Sequence, residues 1–153
     1  MPRLYKSSNT KKVSCPSDDS TTVLQLVAGV IPVTLVEWGI SFDGTNSAHT
    51  PARVKLIRQT TAGTMTAEAT QPIEYDSAQT AAFATVRVAA TAEPTLTTDI
   101  YDNNQITPIG GLFVKQYPLG REIVMQPGER IGIMVVAGLG SAASALAYID
   151  FEE

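Results

Sequence analysis

The residues able to carry chemistry are few. His49 is the only histidine and Cys15 the only cysteine in 153 residues. A general base or an activated thiolate needs a partner that orients and tunes it. His49 lies in FDGTNSAHTPA among Ser, Thr and Asn, where a solvated side chain is expected rather than a base. Cys15 lies in a polar segment with no histidine near it in sequence, so an activated thiolate is not expected. A cupin-type metal site needs several histidines on facing strands, and one cannot build it. Carboxylates gather at Asp18-Asp19, at Asp43 with Asn46, and in Asp99 to Asn104 (DIYDNN). An oxygen-rich loop of the last kind can hold Ca²⁺, but EF-hand spacing is absent, and solvated turn residues are the expected reading. Arg53, Lys55 and Arg58 lie on or beside one strand without interleaved aromatics, which argues against a nucleic-acid groove. No glycine-rich phosphate loop opens a helix. The expectation is a non-enzyme with no catalytic residues, no metal and no cofactor.

The elements that would position these residues follow from composition and periodicity. The length fits one domain and allows a core without disulfides. Hydrophobic residues make up 44% and charged residues 17%, which suits a compact β protein. The net charge of −4 is unevenly spread. Four of the 11 Lys and Arg (Arg3, Lys6, Lys11, Lys12) fall in the first twelve residues with no acid among them, leaving seven against 15 acids. A single cysteine excludes an intrachain disulfide and points to folding in a reducing cytosol. No apolar run has transmembrane length and no signal-peptide pattern opens the chain, so a soluble protein without membrane partners is expected.

Gln116 to Ala137 (QYPLGREIVMQPGERIGIMVVA) organises the rest. Pro127-Gly128 supplies a turn, with φ pre-set by Pro and positive φ accepted by Gly. Ile131, Ile133, Val135 and Ala137 alternate with Arg130, Gly132, Met134 and Val136, the period-two pattern of a strand. Both faces of this strand are largely apolar, so the face with Met134 and Val136 needs a cover such as a loop, an arm or another subunit. Ile123-Val124-Met125 forms a short strand before it. Further strands are expected at Thr22–Ala28, Val33–Phe42, Ala52–Gln59, Ala82–Ala89, Leu112–Tyr117 and Ser144–Phe151. In Val33–Phe42, Val36, Trp38, Ile40 and Phe42 should share the inward face. Loops are expected from Thr60 to Thr70 and from Thr91 to Gly111, with an irregular stretch at Gln71–Gln79. No amphipathic helix appears.

About eight strands with polar turns and long crossovers give an all-β, jelly-roll-like two-sheet β-sandwich. An immunoglobulin-like sandwich is the alternative, without its paired cysteines. The domain reading is a flexible N-terminal arm at 1–21 followed by a sandwich at 22–153. The arm would order on a neighbouring subunit, with Leu4 and Tyr5 as anchors and Arg3, Lys6, Lys11 and Lys12 meeting an acidic surface.

Pro51 to Thr64 (PARVKLIRQTTAGT), Gly110 to Val135 (GGLFVKQYPLGREIVMQPGERIGIMV) and Tyr148 to Glu153 (YIDFEE) together resemble head decoration, or cement, proteins of tailed bacteriophages. The resemblance runs from about Leu24 to the end. It implies a virion structural protein made in the host cytoplasm, a homo-oligomer and most simply a trimer, that binds the major capsid protein or another virion protein. The rival class is a carbohydrate- or receptor-binding module of a phage tail or fibre, since jelly rolls host lectins. Tyr75, Tyr101 and Phe42 are its candidate aromatics.

Overall fold

The computed structural model describes residues 2–68, 71–76, 78 and 80–153, and every regular element among them is a β-strand. In chain order the strands are β1 (Leu4–Ser8), β2 (Val13–Cys15), β3 (Thr21–Val27), β4 (Val33–Phe42), β5 (Ala52–Gln59), β6 (Thr64–Ala67) and β7 (Ile73–Glu74). They continue as β8 (Thr85–Ala92), β9 (Leu96–Ile106), β10 (Leu112–Gln116), β11 (Ile123–Met125), β12 (Arg130–Val136) and β13 (Ala143–Glu152). One sheet runs β10-β4-β13-β1-β7, with β11 beside β4 and β2 beside β13; the other runs β6-β8-β3-β12-β5-β9. The two antiparallel sheets pack face to face as a β-sandwich.

The core forms where the inward residues of the two sheets meet. Leu35, Trp38 and Ile40 of β4, Ile149 and Phe151 of β13 and Tyr5 of β1 join Leu24, Leu26, Val54, Leu56, Ile131 and Ile133 in one buried cluster. Each large side chain of this kind contributes roughly 1.5–3 kcal/mol on burial. Strand β12 follows the expected alternation, with Ile131, Ile133 and Val135 in the core cluster and Gly128 at φ 81° in the turn before it. Trp38, Ile40 and Phe42 face inward as expected, but Val36 does not. The register slips there, so that Asp150 pairs with Glu37 and Phe151 with Leu35. Val36 is the extra residue of a bulge, and Leu35 takes the inward place instead.

The largest difference from the sequence reading lies at the N-terminus. The described residues 2–21 are not set apart as an arm; β1 is a strand between β13 and β7. Tyr5 pairs with Phe151 and stacks on its ring at 5.5 Å between centroids. Ser7 Oγ donates to the Ile149 carbonyl at 3.0 Å. Strand β2 pairs with Ala143 to Ala145 and buries Cys15. At the rim, Arg3 N donates to the Glu153 carbonyl at 2.8 Å and Glu153 N donates back to Arg3 at 3.0 Å. Five residues with a serine in an inward position give too little apolar alternation to read as a strand.

The expected loop from Thr91 to Gly111 contains β9, an 11-residue edge strand paired only with β5 and twice shifted in register. An edge strand with bulges and polar outer positions lacks the apolar period that marks a central one. The same holds for β6 and β7, placed within stretches expected to be loop and irregular; Ala69, Thr70, Ser77 and Gln79 of those stretches lie outside the described residues. Strand β8 begins three residues later than expected and passes through Ala89 at φ 54°.

Candidate interaction surface

Strand register places the outward residues of the seven-stranded sheet in rows. One row is Ser8, Tyr148, Gly39 and Val114; the next is Lys6, Asp150, Glu37 and Gln116. A third holds Leu146, Ser41 and Leu112, and a fourth Leu4, Glu152, Thr34 and Val124. Gly39 is required here, because a Cβ on it would come within 2.4 Å of the Tyr148 ring. The ring lies across the glycine, with Lys6 Nζ 4.2 Å from its centroid. Tyr148 OH donates to Glu37 Oε1 at 2.6 Å, and Tyr75 OH donates to Asp150 Oδ2 at 2.8 Å. Burial, then these carboxylates, pushes both phenols up, Tyr75 to about 12. Asp150 is itself held above the ordinary carboxylate range, chiefly by burial and further by Glu37 opposite; Tyr75 and Lys6 oppose the shift.

Beside this polar half the face is apolar and open. Leu112 is 70% exposed, Val124 49%, Val114 48% and Leu146 39%. A depression of about 240 Å³ runs between Lys6, Ser8, Ser41, Leu112, Leu146 and Tyr148. Outward positions of a sheet in a monomer usually alternate toward polar residues, so an apolar strip of this kind is a candidate contact surface.

The residues expected to bind a partner are distributed differently. Tyr5 is in the chain's own core instead of anchoring on a neighbour. Leu4 is outward and partly exposed. Arg3 pairs with Glu74 at 3.5 Å and Lys12 with Asp43 at 2.5 Å, while Lys6 covers Tyr148. Lys11 is exposed in the turn between β1 and β2. These four cations therefore lie along β1 and the turn after it, three of them engaged within the chain, instead of forming a free basic arm. Met134 is buried outside the inter-sheet core cluster, and Val136 is half-buried. Their face is covered in part within the chain: Gln59 lies over Gly132, donates to Thr22 Oγ1 at 3.0 Å and accepts from Gln25 at 2.6 Å. Period-two patterning alone could not reveal this amide layer.

The chemistry-bearing residues are also placed. His49 is half-buried against Gly44, with Nε2 3.1 Å from the Ala142 carbonyl and Nδ1 without a hydrogen-bond partner among the described residues. Burial pushes the Cys15 thiol up to about 12, with Glu93 and Asp43 adding to it. Asp102 is no turn residue. It accepts from Trp38 Nε1 at 3.1 Å, from Lys115 Nζ and from Tyr117 OH, tying β9 to β4 and β10 across the two sheets. Arg58 turns away from Arg53 and Lys55 to meet Glu129 at 2.5 Å and the Tyr101 hydroxyl. Among the described residues, no three His, Cys, Asp or Glu side chains gather as for a metal ion. Of the three candidate glycan aromatics, Phe42 is in the core, Tyr101 packs against it, and Tyr75 is exposed.

No protein-family model and no curated sequence matches the chain. A crystal structure of the infectious bursal disease virus VP2 subviral particle is similar at 8% identity with a TM-score of 0.22. That alignment covers 99% of this chain and 42% of that one, and a likeness this slight carries no argument.

Proposed function

We propose that this chain is a non-enzymatic structural part of a virus particle, of the decoration or cement type of tailed bacteriophages, made in the host cytoplasm and attached to the head as a homo-oligomer. The observation that carries the reading is the open apolar strip Leu112, Val114 and Leu146 on a strand-built face, with Val124 exposed separately beyond the Glu37 row. Such a face becomes stable when a second protein surface removes it from water, at roughly 25 cal/mol per Å² of apolar area. A rigid two-sheet sandwich presents it without ordering cost. The expected trimer needs a heterologous contact, in which two different patches of each copy meet. The rival carbohydrate-binding reading rests on Tyr75 alone, whose hydroxyl is already engaged by Asp150.

The test is to mix the purified protein with particles of the encoding virus that lack it. Co-sedimentation and a raised particle melting temperature are expected, and both should fall when Leu112 and Val114 are replaced by Ser. Particles from wild-type infection with no trace of the chain by mass spectrometry would overturn the proposal.

A further inference from the structure

The opposite face of the sandwich differs in charge. Register across the six-stranded sheet gives outward rows Thr85, Val27, Arg130, Gln59 and Leu96, then Arg87, Gln25, Gly132, Ile57 and Ile100. The next rows are Thr22, Met134, Lys55 and Asn103, then Val136, Arg53 and Gln105. These rows hold four cations, Arg53, Lys55, Arg87 and Arg130, and no carboxylate of their own; Glu93 alone reaches the third row, where it accepts from Thr22. The rows of the seven-stranded sheet hold Glu37, Asp150 and Glu152 against one cation, Lys6. The two outer faces are thus opposite in sign, and both carry apolar residues between the charges.

We infer that a second copy of this chain docks face to back, the acidic, apolar-striped face of one copy on the basic face of the next. This deepens the proposed self-assembly and rests on it. The charges steer and register the contact, and Leu112, Val114 and Leu146 supply its dry centre. The faces are on opposite sides of the sandwich, so centred docking repeats along a line, and a three-copy ring closes only through contacts made nearer the sheet margins. A nucleic acid is the competing occupant of the basic face, but the apolar strip on the other face would then have no role.

The experiment uses two charge-reversed proteins and sedimentation at low salt. R53E/K55E/R87E makes both faces acidic; D150K/E152K makes both basic. Each alone should associate at least about tenfold more weakly than wild type. Mixed in equal amounts, the two should recover association, because every contact then again joins unlike charges. The wild-type association should weaken as salt shortens the Debye length from about 10 Å at 0.1 M to about 3 Å at 1 M. The single variants R53E and E152K, with unchanged circular dichroism, guard against loss of fold and should each show a smaller weakening. Wild-type oligomers indifferent to both reversals would overturn the face-to-back contact while leaving self-assembly standing. A wild type that stays single up to about 100 µM would overturn both, affinities weaker than this falling near the millimolar end of specific binding. Retention of a labelled DNA duplex by that single species would assign the basic face to a polyanion instead.

Discussion

At the scale of single residues, the polar groups of the interior act as fasteners. Asp102 takes donors from Trp38 of β4, Lys115 of β10 and Tyr117 just past β10, and its removal would deprive them of this acceptor; burial, and then Asp102, hold the Tyr117 phenol well above its ordinary value. Asp102→Ala is expected to cost about 1–3 kcal/mol, the range for leaving buried donors without an acceptor, since Lys115 is 39% exposed and can turn to water. Denaturant unfolding would measure it, and a loss below about 1 kcal/mol would show that the clip is dispensable. Cys15 gives a second check. With its thiol buried and pushed up to about 12, it should resist a thiol reagent at pH 8 in the folded protein and react fully in denaturant. Fast labelling of the native chain would mean that β2 opens readily.

At the scale of elements, the decisive strand is β1. It has neighbours on both sides and buries Tyr5 and Ser7, so deleting residues 2–8 should abolish or drastically lower the thermal transition instead of trimming a tail. Loss of a buried aromatic alone costs about 3–5 kcal/mol, a large part of the stability of an ordinary domain. A truncated protein that melts like the full chain would return these residues to the status of an arm. The contrast with β12 explains what was legible beforehand. Ile131, Ile133 and Val135 announce a central strand because both neighbours and the facing sheet demand apolar residues. Strands β1 and β9 carry that demand weakly, one through brevity and the other through its place at an edge, and the register shifts of β9 blur its period further. The candidate surface was hidden for a related reason. Leu112, Val114 and Leu146 become neighbours only through the pairing of β10, β4 and β13, and sequence spacing does not contain that pairing. The cations Arg53 and Lys55 were visible on one strand, but Arg87 and Arg130 join them only across the sheet.

At the scale of the whole molecule, the acidic face answers to pH through Asp150. Asp150 is held above the ordinary carboxylate range, so the folded state binds its proton more tightly than the unfolded chain does. Its contribution to stability therefore falls as the pH rises from about 3.9 through the raised value, and the penalty is absent below both. Asp150→Asn should be at least as stable as wild type near neutral pH, with the difference closing as the solution is acidified. Parallel melting curves across that window would show it; a variant advantage that grows toward acid would contradict the sign. The sandwich also closes on itself in another respect. Because Arg3 and Glu153 exchange two backbone hydrogen bonds, the polypeptide traces a path whose beginning and end meet at one corner. Covalently joining those ends through a few residues and opening the chain near Leu119, which is 97% exposed, would reorder the sequence without cutting a strand pair. Any segment fused to either end leaves the molecule from that same corner, at the margin of the acidic face.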